Sequence, residues 1–374
     1  MVRSAFMVFS IVAACALAPP EATAFSAQVA QDVQGMTDKQ RYALTETLLR
    51  QSDGFWDEQA AFAQMRRLAE GGYGRAQARL AYYHLKGIGT EVDQEAAARW
   101  YKTAIDGGRE SARTSYAKLL MTMDQRAASL EQLDLAAAQG IEKAQVLRAV
   151  YHYQQRFGAA SDPALGQEEL TRFAGAGDLT AMRIVLAAMY AGARFDVDAE
   201  QLLQRMVDVA RTDTGKTGGR AAESLLRLWR GNRDPDVMAL RAEMVAHESL
   251  RGRARAEGQL YLAREAARTS AQERAFRTIA RDIVQATDPA SFQRAFVVVA
   301  RLDKNAYVYV LQEELKARGY EAGPTTGVFN TKTLNAVTQF CKDTEIQSVC
   351  RLGPLRGQVI KAVIAELAEM PPTT

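Results

Sequence analysis

Hydrophobic residues recur every three or four positions through most of the chain, which is the period of an amphipathic helix. The clearest example is the segment 72–108, where two such patterns are separated by Gly87-Ile88-Gly89. Glycines with positive φ end helices, and Asp93 is placed to cap the helix that follows. The pattern predicts a helix, a tight turn and a second helix. Its apolar and turn positions are Leu80, Gly87, Gly89, Asp93, Ala97, Trp100, Tyr101, Ala104 and Gly108.

This helix pair recurs along the first half of the chain. Four glycines, at intervals between 32 and 37 residues, each precede a small residue by four positions. We expect each glycine to close one helix and each alanine to let the next helix pack closely. A period in this range predicts stacked helix pairs, an all-α solenoid over about 40–235. The glycine and alanine partners are Gly72 with Ala76, Gly108 with Ala112, Gly140 with Ala144, and Gly177 with Ala181.

The segment 72–108 resembles the Sel1-like repeat, a subfamily of the tetratricopeptide helical repeats, at the nine positions given above. The later units keep the helical period but lack the glycine turn. The resemblance implies a superhelix that binds protein partners along its concave face and has no chemistry of its own. His84 stands where the family usually has tyrosine, and we interpret it as a packing residue.

A second pattern covers the C-terminal region. Asn305 is predicted to cap a helix that Gly319 ends, and a helix beginning near Asn330 is predicted to turn Leu334 and two further apolar residues, Val337 and Phe340, inward. An amphipathic closing helix follows at 356–370. The spacing predicts a small three-helix domain over 303–370.

The same region resembles the peptidoglycan-binding-like domain of wall-associated proteins. The resemblance includes a loop whose residues are the candidate ligand contacts, namely Tyr320, Gly323, Gly327 and Phe329. Thr326, Asn330 and Cys341 depart from the family pattern. The domain is therefore expected to keep the fold and to have a lost or altered ligand.

The first 24 residues have the composition of a cleaved secretory signal, with one cation, an apolar stretch and an Ala-Thr-Ala cleavage pattern. The alternative is a lipoprotein signal with Cys15 as the lipidated residue, which would anchor the chain to a membrane. Both predict export to the periplasm. In an oxidising compartment the remaining Cys341 and Cys350 predict a disulfide, and zinc binding is the alternative.

The distribution of charge indicates which classes of ligand the protein can bind. A net charge of +3 does not indicate nucleic-acid binding. Residues 251–281 contain eight arginines and three glutamates. They form either a solvated face or a polyanion surface, for which Arg251, Arg253 and Arg255 are the candidate contacts.

Gly215-Lys216-Thr217 matches the end of a phosphate-binding loop, but the glycine that such a loop needs five residues earlier is absent. Residues 212–219 are therefore predicted to form a flexible inter-helix loop. No catalytic, cofactor-binding or metal-binding residue is predicted.

These observations predict an exported, non-enzymatic scaffold with a signal at 1–24, a solenoid at 40–235, an arginine-rich bridge at 236–302 and the small domain at 303–370. Its expected partners are envelope proteins, with peptidoglycan or acidic polysaccharide as further candidates, in a setting such as exopolysaccharide or alginate secretion. Two alternatives stay open, namely a periplasmic regulator of a sensor and an accessory to peptidoglycan hydrolysis.

Overall fold

Helices follow one another along the whole described part of the computed structural model, and no strand occurs in that part. The structure describes residues 35–48, 58–230, 232, 234–250, 252–287, 289–370 and 372. The predicted signal at 1–24 and the lipidation candidate Cys15 lie outside these ranges. The prediction of an all-α fold is confirmed.

The chain divides into two units, Met1–Gln139 and Gly140–Thr374. In the first unit each helix packs against the next one along the chain. A short 3₁₀ turn at Glu110–Ala112 precedes α5. The helices are α1 Asp38–Leu48, α2 Glu58–Glu70, α3 Gly74–Lys86, α4 Gln94–Asp106, α5 Arg113–Thr122 and α6 Arg126–Ala138.

The second unit begins with further helix pairs and ends in a bundle around a separate core. Its described helices are α7 Glu142–Tyr153, α8 Pro163–Ala176, α9 Leu179–Tyr190, α10 Ala199–Thr212, α11 Lys216–Leu228, α12 Pro235–Ala246, α13 Gly252–Ala266, α14 Ser270–Gln285, α15 Pro289–Leu302, α16 Lys304–Lys316, α17 Thr331–Asp343, α18 Gln347–Cys350 and α19 Gly357–Glu369. One apolar core runs from α7 to α12, and another joins α13–α17 with α19. The four-part division drawn from the sequence stays a prediction.

The glycine–alanine period corresponds to helix ends and helix contacts. The four glycines that define it have φ values of 86°, 84°, 74° and 95°, in the left-handed region that ends helices. Ala76, Ala144 and Ala181 are fully buried, and Ala112 is 4 % exposed. The predicted roles of both residue types are confirmed.

The later repeats make their turns without glycine. Asp124 and Gln155 adopt φ of 58° and 54° between the helices of their pairs. Asp162 and Asp198 cap the second helices of the following pairs, as Asp93 does in the first. Helix pairs therefore continue where the glycine signature is absent, because a few non-glycine residues tolerate the left-handed conformation.

Gly89 lies where the turn after α3 touches the start of α2. It has φ of 63°, and a Cβ there would lie 2.0 Å from the carbonyl oxygen of Glu58. Gly87, with φ of 71°, forms the left-handed C-cap of α3. The first glycine is needed for close approach and conformation, whereas the second chiefly ends the helix.

The expectation of a flexible loop at Gly215-Lys216-Thr217 is wrong. Lys216 begins α11, and Gly215 is its N-cap. A Cβ on Gly218 would lie 1.6 Å from the carbonyl oxygen of Asp213, and one on Gly219 would lie 2.4 Å from that of Ser249. The glycines serve close packing of the first helical turn rather than flexibility.

Two predicted details of the C-terminal region are also wrong. Asp303, not Asn305, caps α16, because its side chain accepts a hydrogen bond from the Ala306 amide. Leu334 is 43 % exposed, whereas Val337 and Phe340 are buried as expected. Asn330 caps α17, in agreement with the sequence.

Candidate functional site

The first unit contains a groove whose lining is basic and aromatic. It has a volume of about 370 Å³ and is formed by one face of α3 together with parts of α1, α4, the 3₁₀ turn and α5. None of the described residues that line it is acidic. They are Tyr42, Arg75, Ala78, Arg79, Tyr82, Tyr101, Arg109, Ser111, Ala112 and Ser115. We refer to this surface as the tyrosine–arginine groove.

Arg79 is the fixed cation of the groove. Its Nε and Nη2 donate to the two carboxylate oxygens of Glu46 at 2.5 and 2.6 Å, in the bidentate geometry that suits arginine. Burial alone would lower the pKa of Arg79, but Glu46 more than offsets this and raises it. The guanidinium carbon also lies 5.0 Å from the ring centroid of Tyr82. The ion pair between Glu46 and Arg79 links α1 to α3 and fixes the position of the Arg79 side chain in the groove.

Two other cations of the groove are not paired. Arg75 and Arg109 make no side-chain hydrogen bond or ion pair with any residue in the described ranges. Both line the groove together with its tyrosines. Because Glu46 already neutralises Arg79, these two guanidinium groups give the groove an uncompensated positive charge.

The tyrosines supply apolar area beside these charges. Tyr42 packs edge-on against Tyr73 with ring centroids 5.8 Å apart. Burial raises the pKa of Tyr42 and that of Tyr101, so both rings carry protonated hydroxyls at neutral pH. Tyrosine and arginine are the residues most enriched at the centres of protein interfaces. The groove can therefore bind an acidic segment of a protein by ion pairing and ring contact.

The predicted repeat-signature residues mostly form the core beneath this surface. Leu80, Ala97 and Ala104 are fully buried, and Tyr101 is 3 % exposed. Trp100 packs partly buried against both clusters of the unit. Of the signature residues, Tyr101 alone also lines the groove.

Sequence reasoning missed the groove itself. Arg75, Arg79 and Tyr82 follow the helical spacing of four and three residues along the face of α3 opposite to its buried stripe. That spacing was a usable signal for one face. Glu46 and Arg109 come from distant positions, so the assembled groove requires the fold.

His84 has the packing role expected of it. Its ring lies edge-on to Phe62, with centroids 5.2 Å apart. Burial lowers the pKa of His84, so the neutral form is favoured.

The C-terminal loop is stabilised by hydrogen bonds of its own. The buried Gln312 side chain accepts from the amides of Thr326 and Gly327, each at 3.0 Å, and donates to the Val328 carbonyl and the Thr333 hydroxyl. The Thr326 hydroxyl accepts from the Val328 amide at 3.2 Å. The loop's polar groups are thus largely used within the domain.

The candidate ligand contacts of this loop have structural positions. Tyr320 packs edge-on against Phe340 at 5.5 Å and its hydroxyl donates to Asp343. Gly323 and Gly327 have positive φ, and Phe329 packs against the core. Their role in binding a wall ligand stays a prediction.

Cys341 and Cys350 form a disulfide that links α17 to α18. The pairing predicted from the sequence is therefore present. In the described residues no cluster of histidine, cysteine and carboxylate side chains could hold a metal ion.

The predicted polyanion contacts separate into different environments. Arg253 is half exposed and lines a cavity of the second unit. Arg255 donates to the carbonyl oxygens of His247 and Glu248, which stabilises the chain before α13. Arg251 lies outside the described residues.

None of the described helices is both long and apolar enough to cross a membrane.

Comparisons with known proteins agree with the helical-repeat interpretation. The family model of the Sel1 repeat matches residues 74–108, which cover α3 and α4. The resemblance inferred from the glycine turn and the Trp100-Tyr101 pair is confirmed for this unit. A search of curated proteins finds no match.

Two solved structures are similar. One is c5321, a protective antigen of uropathogenic Escherichia coli strains with an SLR fold, at 14 % identity and a TM-score of 0.41, covering 92 % of this chain and 94 % of that one. The other is a Sel1 repeat protein from Oxalobacter formigenes, at 19 % identity and a TM-score of 0.38, covering 57 % of this chain and 88 % of that one.

Proposed function

We propose that the protein is a non-enzymatic scaffold that holds a partner protein by an acidic segment bound in the tyrosine–arginine groove. The observation that supports this is the charge of the lining. Among the residues that the structure describes there, two arginines are unpaired, three are tyrosines and none carries a carboxylate. An acidic segment supplies the missing anions and stacks its peptide groups on the rings. The Sel1 repeat at 74–108 supports protein binding as the general role.

The bound segment is short. A groove of about 370 Å³ accommodates a few side chains, so affinity comes from a small number of centrally placed contacts. Arg75 and Arg109 each offer charge-assisted hydrogen bonds to a partner carboxylate. Loss of one such contact costs about 1.5–3 kcal/mol, or roughly 10- to 100-fold in affinity.

The test is selection of random peptides on the full-length protein, followed by affinity measurement with a labelled peptide. We expect the selected peptides to be rich in Asp and Glu. Arg75→Gln and Arg109→Gln should each weaken binding at least about tenfold. Arg99→Gln is the matched control, because Arg99 is an exposed arginine of α4 outside the groove. Neutral or basic selected peptides, or equal weakening by Arg99→Gln, would contradict the proposal.

The proposed setting of this scaffold is the bacterial periplasm, with exopolysaccharide secretion as the pathway. The composition of residues 1–24 supports export, and the disulfide is compatible with an oxidising compartment. Wall attachment through residues 303–370 is supported by the sequence resemblance of that region. Cell fractionation tests the location, and recovery of the protein in the cytoplasmic fraction would contradict export. Co-sedimentation with purified peptidoglycan tests wall attachment, and protein that stays in the supernatant would contradict it.

A further inference from the structure

Arginine makes up half of the described residues that line one cavity of the second unit. It has a volume of about 420 Å³ and lies where α9, α11, α12, α13 and α15 converge. Six arginines and two glutamates line it, with Leu226, Ala254, Gly258 and Tyr261 as the remaining wall. The charged residues are Arg183, Arg227, Arg230, Arg241, Arg253, Arg294, Glu223 and Glu257. We refer to it as the arginine cavity.

One buried carboxylate holds three of these arginines together. Glu257 accepts from Arg294 at 2.8 Å and from Arg230 at 3.0 Å, and lies 3.5 Å from Arg253. Burial alone would raise the pKa of Glu257, but these guanidinium groups hold it below its usual range. A single carboxylate cannot neutralise three cations.

Arg241 is buried in the wall with part of its hydrogen-bonding capacity unused. It is 1 % exposed and donates through Nη1 to Glu265 at 2.5 Å, while its Nε has no hydrogen-bond partner. The guanidinium carbons of Arg230 and Arg241 lie 5.6 and 5.8 Å from the centroid of the Tyr261 ring. An unpaired buried donor is costly and is normally satisfied by a water or a ligand.

Arg183 contributes an unpaired charge. It makes no hydrogen bond or ion pair with another residue in the described part of the chain. Burial lowers the pKa of Arg183 and the nearby Arg227 lowers it further, while Glu223 only partly offsets these two effects. Arg227 itself is paired with Glu223 at 2.5 Å.

The charges do not balance within the cavity. Among the described residues, Glu223 and Glu257 in the lining and Glu265 behind Arg241 leave three more cations than carboxylates. A solvated surface would let these arginines point away from one another, whereas here five helices bring them around one concavity. Arginine forks match carboxylate and phosphate oxygens in bidentate geometry.

We propose that the arginine cavity binds a small anion carrying two or more carboxylate or phosphate groups, with Arg183 and Arg253 as direct ligands. Glu257 positions the guanidinium groups of Arg230 and Arg294. The volume is within the range of small-molecule sites and excludes a folded partner. This inference does not rest on the proposed function of the tyrosine–arginine groove.

The test is isothermal titration of the full-length protein with citrate and, separately, with pyrophosphate, at low salt, with acetate as the monovalent control. We expect saturable one-site binding of at least one multivalent anion and none of acetate. Arg183→Gln and Arg253→Gln should each weaken binding at least about tenfold. Neither substitution breaks a short ion pair among the described residues, since Arg183 makes none and Arg253 is half exposed with one contact of 3.5 Å.

Arg274→Gln is the matched control, because Arg274 is an exposed arginine of α14 outside the cavity. Citrate binding without pyrophosphate binding assigns a polycarboxylate, the reverse assigns a phosphate compound, and either supports the site. Absence of binding for both anions would overturn the proposal. Equal weakening by Arg274→Gln would also overturn it, since the effect would then be general surface charge. Arg75→Gln should leave the binding of citrate and of pyrophosphate unchanged, which separates this test from that of the groove.

Discussion

Substitution of Gly89 by alanine should destabilise the first unit far more than the same change at Gly108. Both glycines have left-handed backbones, with φ of 63° and 84°. Around Gly108 an added Cβ meets nothing within 4 Å. At Gly89 it would lie 2.0 Å from the Glu58 carbonyl oxygen and 2.8 Å from the Phe62 Cβ. The pair therefore separates backbone conformation from steric contact.

The expected magnitudes follow from these two terms. The left-handed conformation costs an alanine about 1–2 kcal/mol, and this is the whole cost at Gly108. Forcing an atom into the packed contact between the turn and α2 adds about 1–3 kcal/mol. Gly89→Ala should therefore lower the free energy of unfolding by about 2–5 kcal/mol.

Urea denaturation followed by circular dichroism measures the change in the free energy of unfolding. Peptide-resolved hydrogen exchange shows which helices are destabilised. We expect Gly89→Ala to increase exchange in α2 and α3, because the turn must move away from Glu58. Equal destabilisation by the two substitutions would refute the reasoning, since the close contact would then contribute nothing.

Three further outcomes are expected. Replacing Cys341 and Cys350 together by serine should lower stability by about 2–3 kcal/mol, because the disulfide closes a short loop; unchanged urea midpoints under oxidising conditions would count against it. Gln312→Leu should lower the free energy of unfolding by about 3 kcal/mol, because it leaves buried loop amides unpaired, whereas Gln339→Leu at an exposed position should be nearly neutral. Equal effects would contradict a stabilising role for the Gln312 hydrogen bonds. The pKa of Glu257 is depressed in the folded state, so its stabilising contribution is complete above its ordinary value of 4.5 and is lost as pH falls through the lower folded pKa. Glu257→Gln should therefore reduce the acid dependence of stability in that window, and an identical pH profile would argue against the ion network.

The helix pairs could be predicted because their signals are local. Glycine at a left-handed helix end and apolar residues at helical spacing depend only on neighbouring positions. The turns at Asp124 and Gln155 could not be predicted in this way, because neither residue type requires a positive φ. The prediction of a loop at Gly215 is wrong for a related reason. The glycines that follow it are needed for close approach to Asp213 and Ser249, and these contacts depend on the fold.

The two candidate sites could be predicted only in part. The sequence indicated an arginine-rich region, and Arg253 does line the arginine cavity. Arg183 and Arg294 come from helices before and after that region, so their convergence follows from packing. In the groove, the ion pair of Arg79 with Glu46 joins residues 33 positions apart, which no local pattern encodes.

Site-specific photo-crosslinking in cells that produce the protein tests the scaffold role most directly. A benzophenone amino acid is placed at Tyr82 in the groove or, as the control, at Leu135, which is 43 % exposed on α6 of the same unit. We predict an adduct at Tyr82 whose crosslinked peptide is acidic and whose yield falls with Arg75→Gln, with no such adduct at Leu135. Identical adducts at both positions, or an adduct at Tyr82 unaffected by Arg75→Gln, would contradict a partner bound through the tyrosine–arginine groove.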